Sequence, residues 1–242
     1  MIDIYRILKG VNSLIDWCSL ALLMIVILYS GYTLLDELHV DHYAEASSFE
    51  EYAPGTDEAN NWKFKELINN NPDVTAWIKV DGTPIDYPVA HYYDNLKYIN
   101  TDIQGKFSMS GSIFLDYRNN SDFSDQNNII YGHHMKNKAM FGSLEQFSEK
   151  DFFMKHSNGS LYFDDRWHNI KFFAFSRVNA YDKNIYNVSD MNIMNYTDEI
   201  RKYAIYFREM TIDEGIKLIT LSTCSSGNTN ERYLLTGRIL DE

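Results

Sequence analysis

The chain has 242 residues, 45% of them hydrophobic, enough for one well-packed domain with an appendage. A formal net charge of -12 excludes the concentrated basic surface that phosphate neutralisation demands, so no nucleic-acid partner is expected. The two cysteines, Cys18 and Cys224, do not suit a structural disulfide, because Cys18 sits inside a long apolar segment far from Cys224.

The first element is that apolar segment. Leu14 to Leu35 reads LIDWCSLALLMIVILYSGYTLL and carries a single charge, Asp16, near its leading edge. A helix of this length crosses ~30 Å of hydrocarbon. Arg6 and Lys9 precede it, while Asp36, Glu37 and Asp41 follow. The expectation is an uncleaved membrane anchor, with residues 1–13 cytoplasmic and the rest exported. Residues 36–60 are acidic, poor in large aliphatics and end near Pro54–Gly55, which reads as a membrane-proximal stalk leading into a domain spanning 61–242.

Trp62, Phe64, Leu67 and Ile68 recur at near-helical spacing, and Pro72 stops that helix before a strand over AWIKV. Asp81–Gly82 then predicts a hairpin, although Pro84 and Pro88 suggest an edge or irregular second strand. Six further β-like runs follow: GSIFLDYR, NNIIYGHHM, SLYFDD, NIKFFAFSRV, GIKLITLSTC and YLLTGRIL. Helices are expected within MFGSLEQFSEKDFFMKH and within SDMNIMNYTDEIRKYAIYFREM, where Ile193, Ile200, Tyr203, Ala204 and Phe207 line one face. Strands without regularly interposed helices indicate a mainly β fold, a closed or nearly closed mixed barrel with flanking helices.

Cys224 ends an apolar strand run where the polar loop SSGNTNE begins, a place from which a thiol reaches substrate. A buried thiol acting as a small hydrophobe is the alternative on location alone. A nucleophilic cysteine needs a proton-transfer partner, and His133 leaves a strand run directly after Gly132. Alternation along an extended backbone turns the adjacent His134 to the other side. Arg232 opens the strand that returns after the loop, close enough to steady an oxyanion near Cys224, or else to form a surface ion pair with Glu231. Arg238 shares its face about 20 Å away at ~3.3 Å per residue.

Taken together, TLSTC at 220–224, an arginine opening the next strand, and the upstream YGHHM resemble the sortase family of cysteine transpeptidases. GSIFLDYRN, DVTAWIKVDGTPIDYPV and the helical insertion before the cysteine strand look most like class B, over residues 60–242. The resemblance implies a closed mixed β-barrel of about eight strands with N-terminal helices. It implies Cys224 as nucleophile, His133 as acid and base, and Arg232 as the arginine of the catalytic group. Thr223, with Leu221 and Ser222, would shape the substrate site, and Asp116 in FLDYR is the candidate for orienting His133. The implied reaction cleaves a C-terminal sorting motif, NPxTx-like or LPxTx-like, after threonine through a thioester. The acyl group then passes to an amine of a peptidoglycan precursor or a pilin lysine, without metal or organic cofactor.

Other readings fit the residues less well. A papain-like protease places its cysteine before its histidine, and an L,D-transpeptidase clusters both near one S-H-G-x-R-like motif. A metal- or haem-binding surface protein would use the His pair with Cys224, but adjacent histidines lack the i, i+4 spacing of common zinc motifs.

Overall fold

The computed structural model describes residues 4–55, 61–211, 215–225 and 230–240. Residues 56–60 of the expected stalk and 226–229 of the loop after Cys224 lie outside them. The chain divides into two units, 1–42 and 43–242. The first is a single helix, α1 (Ile4–Ala44), longer at both ends than the apolar run that announces it. Its Ile4–Thr33 stretch has a mean hydropathy of 2.1 and is long and apolar enough to cross a membrane. Residues of the expected stalk belong to the second unit: Ala44 and Phe49 are buried in its core, Phe49 against Tyr87.

In chain order the second unit comprises α2 (Trp62–Asn70), β1 (Val74–Val80), β2 (Asp86–His91), β3 (Ile113–Leu115), β4 (Asn127–Tyr131), α3 (Lys150–Lys155), β5 (Asn158–Phe163), β6 (Arg166–Asn179), α4 (Ile193–Tyr203), β7 (Ala204–Phe207), β8 (Leu218–Cys224) and β9 (Glu231–Leu240). Pro72 denies Asn71 the helical region, and Asn71 accordingly adopts φ -137°, ψ 97°, ending α2. The Asn192 side chain accepts a hydrogen bond from the Asn195 amide and caps α4.

Among the described residues the strands form one sheet in the order β5-β1-β2-β3-β4-β8-β9-β6-β7, and β5 also pairs with β6. Eight strands therefore close into a barrel, and β7 lies outside it on β6. The β2–β3 and β4–β8 pairs are parallel and the others antiparallel. The hairpin at Asp81–Gly82 is present, but β2 is an interior strand rather than an edge, because β3 joins it from Val89 onward. Pro88 lies just before that junction, where its missing N–H removes no bond from the β2–β3 ladder.

One expected helix is shorter than its pattern. Ala204 and Phe207 continue the apolar face of α4 at helical spacing, yet they belong to β7, which pairs with Ala174 to Ser176 of β6. The run AIYF suits a strand, and the exposed backbone of β6 offers it a ladder that solvent cannot match.

Side-chain alternation divides the core. Ile219, Leu221, Tyr233 and Leu235 point into the barrel with Trp77, Phe172 and Phe175. Leu218 and Leu234 face outward under Tyr186 of the β6–α4 connection and Ile193 and Tyr196 of α4. Each fully buried aromatic or aliphatic side chain contributes roughly 1.5–3 kcal/mol. With both faces covered, β8 is buried along its whole length and emerges only at Cys224.

Candidate active site

The barrel brings three strand ends together. In the β8–β9 ladder Cys224 stands directly opposite Arg232. In the parallel β4–β8 ladder Tyr131 pairs with Ser222, and the Gly132 amide donates to the Ser222 carbonyl at 3.2 Å. His133 follows two residues after the last paired residue of β4, and it lines the same cleft as Cys224 and Arg232. The period of two gives Ser222 and Cys224 one face of β8, and Tyr131 and His133 line the cleft on that side. The histidine, the cysteine and the arginine thus line one cleft. Cys224 is exposed, while His133 and Arg232 are half-buried. Arg238 lies at the far end of β9, opposite Leu218.

Gly132 is required here by space. A Cβ at this position would lie 2.5 Å from Ile113 Cδ1 and 2.7 Å from the Phe141 ring, so only glycine lets the chain leave β4 against these groups. The backbone conformation is not the reason, since the φ of Gly132 lies outside the left-handed region.

His133 Nε2 is 2.8 Å from the carbonyl oxygen of Ile99. A carbonyl only accepts, so Nε2 carries the hydrogen and Nδ1 is left to exchange protons. His134 behaves differently: its Nε2 lies 3.2 Å from Glu145 Oε2, and its backbone bridges to Met140.

Asp116 does not hold the His133 ring. Its carboxylate is fully buried and takes hydrogen bonds from Arg118 Nε and Nη2 at 2.8 Å each, from the Tyr131 hydroxyl at 2.8 Å and from Asn95 Nδ2 at 3.2 Å. Burial alone would raise its pKa, but the hydrogen bonds from Arg118 and Tyr131 and the Arg118 charge hold it below the usual carboxylate range. With its acceptor sites so occupied, no bond to His133 forms among the described residues. The Ile99 carbonyl occupies the orienting position instead.

A cleft of about 600 Å³ opens over Cys224. Ser222 and Thr223 border it, whereas Leu221, on the opposite face of β8, is buried in the barrel and does not. Ser222 Oγ is 3.0 Å from the Tyr186 hydroxyl. Among the described residues the buried Thr223 hydroxyl has no hydrogen-bond partner. Burial pushes the Tyr186 phenol up to about 12, the Cys224 position adding to this and Ser222 and Arg232 opposing it. Tyr186 and Tyr131 stack with ring centroids 6.3 Å apart, and Tyr131 meets Phe114 at 5.4 Å. The cleft is thus a partly aromatic trough, with Phe114, Tyr117, Tyr131, Tyr181 and Tyr186 in its lining, that holds a thiol, an imidazole and two guanidinium groups.

The sequence reading did not single out Tyr131, Tyr186, Asn95, Arg118 or Ile99. Tyr131 carried a signal, since it stands two residues before His133 in the same β-like run. Tyr186 and Ile99 come from long connections whose course depends on tertiary packing.

Known proteins share the family and fold of this chain. The model of the sortase domain matches residues 78–240. Sortase B of Staphylococcus aureus is 27% identical over 231 residues, covering 90% of this chain and 94% of that protein. Among solved structures, a class B sortase of Streptococcus pyogenes involved in pilus biogenesis is 36% identical with a TM-score of 0.69, covering 73% of this chain and 97% of that one. Sortase B of Clostridium perfringens is 31% identical with a TM-score of 0.69, covering 74% and 100%. A Staphylococcus aureus sortase B–substrate complex is 26% identical with a TM-score of 0.68, covering 81% and 89%. The chain belongs to the sortase family, within class B, and is a cysteine transpeptidase.

Proposed function

We propose that Cys224, His133 and Arg232 carry the transpeptidation, and the observation that supports this is that all three line one cleft, with Arg232 directly opposite Cys224 in the β8–β9 ladder. The Cys224 thiolate adds to the carbonyl carbon of threonine in the sorting motif of a secreted protein. Arg232, a permanent cation with a planar fork of donors, holds the oxygen that becomes negative. As the tetrahedral intermediate collapses, the C–N bond breaks and the departing amine takes a proton from His133 Nδ1, leaving a thioester on Cys224. An acceptor amine then attacks the thioester and gives its proton back to His133. The thiolate departs and a new amide bond remains.

The chain acts at the cell surface, α1 serving as its anchor with the residues before the apolar run cytoplasmic and the barrel outside. The acceptor is an amine of a peptidoglycan precursor. A second acceptor, a pilin lysine, is favoured by one observation: the relative involved in pilus biogenesis is 36% identical over 73% of this chain, against 28% over 74% for the Staphylococcus aureus sortase B structure.

Quenched peptides bearing NPxTx-like and LPxTx-like motifs, supplied to intact cells and to the full chain in detergent, test substrate and topology together. Cleavage after threonine is expected in both samples, with one motif preferred. Cleavage in detergent alone would place the barrel inside the cell, and cleavage of neither motif would remove the proposed substrate class.

A further inference from the structure

The Ile99 carbonyl that holds the His133 ring belongs to a connection that sends Tyr98 and Ile103 into the core and leaves several other apolar side chains exposed. Leu96 is 71% exposed, Ile99 42% and Phe107 78%. The exception within the helical turn Lys97–Ile99 is Tyr98, at 1%. Its hydroxyl donates to Asp73 Oδ2 at 2.8 Å and accepts from Asn71 Nδ2 at 2.9 Å. Lys97 Nζ reaches the same Asp73 oxygen at 2.6 Å and lies 4.0 Å from the Tyr92 ring centroid. The turn is thereby tied to the junction of α2 and β1. From the other side the Ser112 amide donates to the Tyr98 carbonyl at 2.9 Å. Gly111 comes so close that a Cβ would lie 2.5 Å from the Tyr98 and Ile99 carbonyl oxygens alike, at a φ of 57°. The turn is pinned on both sides, and what it delivers to the cleft is the acceptor that fixes the tautomer of His133.

We infer that Tyr98 and Asp73 are positioning residues for the reaction, holding the Ile99 carbonyl so that His133 presents Nδ1 to the thiol side. This rests on the reading of His133 as the acid and base. The two residues touch neither substrate nor thiol, and they act by keeping a backbone oxygen on Nε2. A turn released from Asp73 would let the ring rotate and exchange its tautomers, slowing proton transfer while leaving the peptide trough in place.

The test uses the full chain in detergent, comparing wild type, Tyr98→Phe and Asp73→Asn. Tyr98→Phe keeps the ring and removes the hydroxyl. Its kcat for a sorting peptide should fall about tenfold, the order of one hydrogen bond to a charged group, with KM unchanged. The pH profile of acylation should shift, and the ¹⁵N resonances of the His133 ring should move from a single Nε2–H tautomer toward a mixture. Asp73→Asn should do the same, and it supplies the readout should Tyr98→Phe not fold. A purely structural role would lower the active fraction and the melting temperature while leaving the pH profile and the ring resonances as in wild type, and that result would overturn the inference. His133→Ala separates the two ideas. Full turnover in that variant sinks the underlying reading, whereas an inactive His133→Ala beside an unchanged Tyr98→Phe profile sinks the positioning role alone.

Discussion

Arg232 stands opposite Cys224 and keeps its positive charge throughout the proposed reaction. Lysine would preserve the charge but lose the planar fork, so Arg232→Lys should slow acyl-enzyme formation on the order of ten- to a thousandfold at saturating peptide. Arg238→Lys, at the opposite end of the strand, should be mild by comparison. Equal rates for Arg232→Lys and wild type would leave the oxyanion to other donors. Asp116 makes a different contribution, to stability. Its folded pKa lies below the ordinary carboxylate value, so its stabilisation is complete above that value and is lost as pH falls through the depressed one. Asp116→Asn should cost on the order of 2 kcal/mol at neutral pH, a modest figure because Arg118 remains partly in water. In urea melts of wild type and variant the gap should close below about pH 4. A gap independent of pH would show that the ion pair does not carry the effect.

At the scale of elements, the exit of β4 depends on Gly132. Gly132→Ala forces a methyl group against Ile113 and Phe141, which should destabilise the fold by about 1–3 kcal/mol and displace His133, lowering acylation disproportionately. A variant with wild-type activity and stability would show that the exit tolerates the shift. The same strands show what could be read in advance. Apolar runs punctuated by polar turns marked every barrel strand, and the short loop between two such runs was enough to set Cys224 opposite Arg232. Period two was equally informative where it was applied, and Leu221 shows the cost of not applying it: a neighbour of Cys224 in sequence but of opposite parity, it faces the barrel core. β7 was hidden for a related reason, since Ala204 and Phe207 satisfy helical spacing and strand alternation alike, and only the open edge of β6 decides between them.

For the whole molecule, an apolar span and a barrel were both evident from patterning, but the division between them was not. Residues 44–55 look like a stalk because they are acidic and short, yet Phe49 finds Tyr87 in the core. Contacts between distant stretches have no local signature. Asp116 was a reasonable orienting carboxylate by sequence: Arg118, two residues on, was a legible competitor for it, whereas the bond from Tyr131 follows only from the pairing of β3 with β4. The central claim, that one thiol at the end of β8 becomes acylated by a sorting peptide, is tested most directly by intact mass and peptide mapping of the full chain after brief incubation with that peptide. The account predicts a hydroxylamine-sensitive adduct ending in threonine on Cys224, absent from Cys224→Ala and unaffected by Cys18→Ala. An adduct on another residue, or turnover that persists in Cys224→Ala, would contradict it.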